Sequence, residues 1–146
     1  PLTAGACRPQ PGRRVWAASP SGPEAGAMEN SARALGEYGE RLASRYLLAQ
    51  GCTILDRNWR CARGEIDIVA MDGGCLVVCE VKTRSSTTFG TPVEAVTPAK
   101  AARLRRLAGR WLAAHGVAHA TARIGVIGLL TDGPGRFTVD HLKGVC

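Results

Sequence analysis

Apolar positions recur at helical spacing early in the chain. Leu35, Tyr38, Leu42, Tyr46 and Ala49 form one stripe, which predicts a helix capped at Asn30 or Ser31, running to about Gln50 and stopped by Gly51. Arg41 and Arg45 fall on its outer face, and Glu40 falls just past the edge of the apolar arc, beside Ala43 and Leu47. The pattern then turns extended. Residues 52–59 and 65–71 read as strands, Asp72-Gly73-Gly74 as a hairpin turn, and residues 76–82 as a third strand, apolar on both faces until Glu80. Residues 83–93 are polar, contain Gly90 and Pro92, and read as a loop. Thr97-Pro98 supplies an N-cap and a first helical position for a helix to about His115. Leu104, Leu107, Ala108 and Trp111 face inward on it, while Arg103, Arg106 and Arg110 share the opposite side. Residues 123–130 and 136–142 are two further strands around a turn at 131–135. The order αβββαββ predicts an α/β sandwich with a central mixed sheet flanked by helices.

Residues 1–27 depart from this pattern. They hold five of the eight prolines, many Ala and Gly, and no apolar periodicity, so they read as a disordered tail or an expression remnant, with Met28 as a candidate natural start. Residues 28–146 are then one domain, long enough to bury a core. No apolar run approaches the roughly 20 residues that span a bilayer, so no membrane partner is expected. Sixteen of the 19 basic residues are Arg, and the net charge is +7. Guanidinium forks suit phosphate, which makes an anionic polymer a candidate partner and a merely solubilising surface the alternative. Aromatic residues make up only 5%, which argues against a base-stacking platform.

The six cysteines form no C-x-x-C pair and follow no secretory leader, so thiols in a cytoplasmic protein are expected rather than a disulfide framework. His115 and His119 have zinc-like i, i+4 spacing, but Gly116 and Val117 break the helix that would align them.

The informative residues are Asp67, Glu80 and Lys82. A central apolar strand normally avoids charge, because burying an isolated ion is costly. Glu80 and Lys82 lie two apart and so share a face. Asp67, on the preceding strand, joins them if the hairpin loop has two or four residues. With residues 72–75 as the loop it lies directly opposite Glu80. Two carboxylates that close repel unless a cation lies between them, and oxygen ligation suits Mg²⁺ or Mn²⁺. The alternative is an ion pair of Glu80 with Lys82 or Arg84 at a strand end. Asp67 on a paired strand, Glu40 at the helix edge and the polar loop beyond Lys82 favour the site. Glu65 shares the face of Asp67 in a regular strand and is either a reserve ligand or a solvated strand-start residue.

Three segments carry a resemblance: Leu35-Gly36-Glu37-Tyr38-Gly39-Glu40-Arg41-Leu42-Ala43, Leu55-Asp56-Arg57-Asn58-Trp59-Arg60, and Gly64-Glu65-Ile66-Asp67-Ile68-Val69-Ala70. With Glu80-Val81-Lys82-Thr83-Arg84, Phe89-Gly90-Thr91-Pro92-Val93-Glu94-Ala95-Val96 and Lys100, they resemble the YraN-like family of small bacterial endonuclease-like proteins. That family is similar to the restriction-endonuclease-like superfamily and to archaeal-type Holliday junction resolvases. The resemblance implies a restriction-endonuclease-like fold. It also implies that Asp67, Glu80 and Lys82 match the D…E-x-K motif and that Glu40 matches the acidic residue of the first helix. Where R-F-D-V-V is expected in relatives, this chain reads Arg123-Ile124-Gly125-Val126-Ile127, so a carboxylate is missing at Gly125.

The expected function is metal-dependent hydrolysis of phosphodiester bonds, in DNA rather than RNA. Structure-selective action on branched, nicked or flapped substrates is expected, since no base-reading motif is visible. Asp67, Glu80 and the Val81 carbonyl are the expected ligands of Mg²⁺ or Mn²⁺, with Glu40 holding a second ion or the water and Lys82 orienting that water or stabilising charge. Arg84, Lys100, Arg103, Arg106 and Arg110 are the expected phosphate contacts. Cutting two strands would suit a homodimer. The alternatives are a non-catalytic nucleic-acid-binding or partner-binding module that retains the fold, and a structural protein whose charged strand end only forms ion pairs.

Overall fold

A computed structural model describes residues 13–18, 32–85, 97–116, 121–131 and 137–144. Its elements are β1 (Arg13–Ala18), α1 (Ala32–Ala49), β2 (Thr53–Cys61), β3 (Gly64–Asp72), β4 (Cys75–Arg84), α2 (Pro98–Ala114), β5 (Ala122–Thr131) and β6 (Phe137–Lys143). From α1 onward this is the expected αβββαββ order. The segment Phe89–Val96, the helix cap at Asn30 or Ser31, the turn after Thr131 and His119 lie outside the described residues.

Local chemistry sets the helix ends. α1 stops where Gly51 takes φ 90°, a left-handed conformation natural to glycine. Gly51 N–H then donates to Leu48 O and Cys52 N–H to Leu47 O, both at 3.0 Å, the paired bonds of a Schellman end. α2 starts at Thr97, whose hydroxyl accepts from Lys100 N–H at 3.3 Å, with Pro98 in the first turn.

The strands form one six-stranded sheet in the order β1-β6-β5-β4-β3-β2. β4 and β5 run parallel, joined across α2, and the other neighbours are antiparallel. β4 lies inside the sheet with a helix over each face, which is why its run from Cys75 to Cys79 is buried throughout. On one face Ile68, Ala70, Val77, Cys79, Ile127 and Leu129 pack under Tyr38, Leu42, Ala43, Tyr46 and Leu47 of α1. On the other, Val69, Leu76, Val78 and Ile124 pack under Leu104, Leu107, Ala108, Trp111 and Leu112 of α2. Each Leu, Ile or Val among them, fully buried, contributes roughly 1.5–3 kcal/mol before the entropy of ordering the chain is subtracted.

The structure departs from the sequence reading at three places. Ala49, placed in the α1 stripe by spacing, is exposed, and Ala43 and Leu47 are buried instead. The buried arc is thus rotated towards Ala43 and Leu47, which turns Glu40, three and seven residues before them, towards the sheet. Arg13–Ala18, inside the stretch read as a tail, lies antiparallel to β6, with Arg13 opposite Leu142 and Ala18 opposite Phe137. An open sheet edge can pair with a segment that has no apolar periodicity, because the ladder uses backbone groups. Cys75 is disulfide-bonded, whereas free thiols were expected; Cys52, Cys61 and Cys79 are free.

Candidate active site

The β3–β4 hairpin sets the geometry. Gly73 and Gly74 have φ 55° and 89°, the pair of positive values a two-residue type I′ turn requires. The ladder then runs from Asp72 opposite Cys75 to Ile68 opposite Cys79. One step further Asp67 meets Glu80, as the sequence parity predicts, but the backbone pairing has ended. Val81 N–H instead donates to Asp67 Oδ2 at 2.9 Å, so a side chain replaces the missing ladder partner. In a strand a residue's N–H and C=O point to the same side, so the Val81 carbonyl also faces Asp67.

Beyond this point a cavity of about 190 Å³ opens between the sheet and the start of α2, lined by Glu65, Asp67, Glu80, Lys82, Lys100, Arg103 and Leu104. Asp67 is 8% exposed. Burial, and next the neighbouring Glu80, push its carboxyl up to about 7; Glu40 and Glu65 add to this, and the Val81 hydrogen bond opposes it. Lys82 Nζ lies 3.1 Å from Glu80 Oε1, with side-chain exposures of 31% and 22%. The ion pair weighed as the alternative to a site is therefore present, and it sits inside the cavity. Glu65 lines the same cavity while its Oε2 is held by Arg60 Nε at 3.0 Å.

Glu40 does not line the cavity. It is held on the α1 side, where a Cβ at Gly39 would collide with Thr83 Oγ1, so glycine lets the helix approach β4 closely. Burial raises the Glu40 carboxyl above its ordinary value, against a side-chain hydrogen bond with Asn58; Glu65 and Glu37 raise it further and Arg57 lowers it. Asn58, with φ 51°, is a residue the sequence reading gave no role. An asparagine within a strand-like run was the available sign, since it tolerates the left-handed conformation.

All five expected phosphate contacts are exposed; Lys100 and Arg103 line the cavity, whereas Arg84, Arg106 and Arg110 lie outside its lining. Gly125, where a carboxylate was expected, lies on the opposite face of the sheet. A Cβ there would meet Cys79 Sγ at 3.2 Å, His141 Nε2 at 3.5 Å and Val77 Cγ1 at 3.6 Å. Its neighbours belong to the α1 core, so the absence of a carboxylate at Gly125 leaves the cavity untouched.

Among the described residues no three His, Cys, Asp or Glu side chains gather as a metal-binding group. The cavity does suit a hard cation at a smaller set. Asp67 and Glu80 are oxygen donors, the Glu80 charge opposes that of Asp67, the Val81 carbonyl faces the same gap, and a cation between them would relieve the repulsion.

Fold and cavity together define a mixed α/β protein with an Asp…Glu-x-Lys constellation where two central strands part. The chain belongs to the uncharacterised protein family UPF0102, whose profile matches residues 39–129, which bears out the YraN-like resemblance. A UPF0102 protein of Kineococcus radiotolerans is 59% identical over 113 residues, covering 77% of this chain and 93% of the relative. One from Streptomyces coelicolor is 55% identical over 122 residues, covering 82% of this chain and 94% of the relative. One from Frankia alni is 55% identical over 111 residues, covering 76% and 92%. No helix among the described residues is long and apolar enough to cross a membrane.

Proposed function

We propose that this cavity hydrolyses phosphodiester bonds in DNA with a divalent cation, Mg²⁺ or Mn²⁺. The observation that carries the reading is the buried Asp67 carboxylate beside Glu80, with the Lys82 ammonium at the same point. Structural ion pairs alone do not call for a second carboxylate held at such electrostatic cost.

Asp67, Glu80 and the Val81 carbonyl would hold the ion, which supplies positive charge to the phosphate and acidity to water when bound. Lys82, hydrogen-bonded to Glu80, is placed to orient that water or to stabilise negative charge on the phosphate during attack. Glu40, outside the cavity lining, acts through its charge and its bond to Asn58, or through the water. Lys100 and Arg103 meet the substrate backbone at the cavity, and Arg84, Arg106 and Arg110 contact flanking phosphates. Among the described residues Leu104 is the only apolar side chain in the lining, and none of them brings an aromatic ring for a base to stack on. Recognition of backbone shape in branched, nicked or flapped DNA follows from this better than recognition of sequence.

The test is a panel of nicked, flapped, branched and plain duplexes with Mg²⁺ or Mn²⁺, run beside Lys82→Ala. Cleavage by the wild type that vanishes in Lys82→Ala supports the reading. DNA binding without cleavage, unchanged in Glu80→Ala, favours the non-catalytic binding module.

A further inference from the structure

In the sequence Arg103, Arg106 and Arg110 form one uniform row, but the fold treats Arg103 differently. It lines the cavity with Asp67, Glu80 and Lys82, and Arg106 and Arg110 do not. Its guanidinium is lodged on Gly64 at the start of β3. A Cβ at Gly64 would stand 2.5 Å from Arg103 Nη2, 3.1 Å from Nε and 3.2 Å from Cζ. Gly64 has φ 141°, a conformation open to glycine and rarely to other residues. The contact thus depends on the absence of a side chain at that one position. Among the described residues Arg103 makes no ion pair, although Glu65, Asp67 and Glu80 share its cavity, and the nearest of these in sequence to Gly64, Glu65, is taken by Arg60.

We infer that Arg103 clamps the phosphate undergoing hydrolysis, and that Gly64 is a positioning residue that lets the guanidinium lie against the cavity. The inference rests on the nuclease reading above and assigns within it a division of labour: Arg103 acts at the reacting phosphate, Arg106 and Arg110 only along the flank. A guanidinium presents a planar fork of donors that matches two phosphate oxygens, and although Arg103 is exposed like Arg106 and Arg110, it alone of the three lines the cavity beside Asp67, Glu80 and Lys82. Arg106 and Arg110, outside the lining, supply salt-sensitive affinity without acting on the reaction step.

The experiment compares Arg103→Ala, Arg103→Lys, Arg106→Ala, Gly64→Ala and the Gly64→Ala/Arg103→Ala double variant on a nicked duplex in Mn²⁺, with melting temperatures recorded. Arg103→Ala is expected to lower kcat about 100-fold with KM little changed, in the range seen for loss of one charge-stabilising donor. Arg103→Lys should restore part of it. Arg106→Ala should raise KM, more so at higher salt, and leave kcat alone. Gly64→Ala should lower kcat, and the double variant should be no slower than Arg103→Ala, because both changes act on one contact. Equal effects of Arg103→Ala and Arg106→Ala on KM alone overturn the inference, as do multiplying effects of Gly64→Ala and Arg103→Ala. If the wild type cleaves nothing, the nuclease reading fails and the clamp, which rests on it, is overturned with it; if the wild type cleaves and Arg103→Ala behaves as Arg106→Ala does, the clamp alone fails.

Discussion

Asp67 Oδ2 accepts the Val81 N–H at 2.9 Å across the point where β3 and β4 part. A carboxylate on one strand therefore takes the place of a backbone carbonyl, and the bond fixes Asp67 beside Glu80 at the edge of the cavity.

Asp67 titrates well above the ordinary 3.8, at about 7, because burial and Glu80 oppose its charge. The folded protein therefore holds this proton more tightly than the unfolded chain. The resulting stabilisation is fully present below about pH 4 and is lost as pH rises to about 7. Asp67→Asn keeps an acceptor for Val81 and removes the charge. It should melt higher than the wild type by about 5–10 °C at pH 8, on the order of 2–4 kcal/mol, with the gap shrinking at pH 5. Thermal unfolding across pH 5–8 checks this, and a gap that ignores pH contradicts it.

Divalent cation binding should compete with that proton. Mn²⁺ should raise the melting temperature more at pH 8 than at pH 6, by an amount near 2.7 kcal/mol when the ion is at about 100 times its Kd. Asp67→Ala and Glu80→Ala should each abolish the shift. Calorimetric titration with Mn²⁺ that shows no heat in the wild type at pH 8 would count against the site.

Lys82 Nζ now occupies Glu80 Oε1 at 3.1 Å. Removing it as Lys82→Ala frees one carboxylate oxygen, so the Mn²⁺-dependent rise in melting temperature should persist or grow. Cleavage should fall by about 100-fold or more, as expected for loss of a group that stabilises developing charge. A variant that cuts within threefold of the wild type would remove Lys82 from the chemistry.

Gly125→Ala places a methyl 3.2 Å from Cys79 Sγ on the α1 face of the sheet. Tight packing there should cost about 1 kcal/mol. Neither Mn²⁺ binding nor cleavage should change, because the cavity lies on the other face. A loss of cleavage greater than the fraction unfolded would tie position 125 to the site after all.

Much of this arrangement was legible in the sequence because it depends on periods. The parity of Asp67 and Glu80 follows from two-residue alternation and an even hairpin loop, and Gly73-Gly74 announced the turn. The end of the ladder at Ile68 and Cys79 was not legible, since it arises when the Asp67 side chain displaces a backbone partner. Glu40 was found at the arc's edge, but its attachment to Asn58 depends on how α1 rotates over the sheet, which Ala49 in the stripe obscured. The arginine row looked uniform because helical spacing reports which residues share a face and nothing about a glycine on another element. Arg13–Ala18 was missed for a related reason: an added edge strand is selected by the vacancy beside β6, and its own sequence carries little sign of it.

The seven described residues around the cavity come from β3, β4 and α2, between Glu65 and Leu104. Among the described residues, β5, β6 and β1 supply none. β6 serves the site only at a distance, through Phe137 and Val139 in the core beneath α1, rather than by lending the cavity a wall.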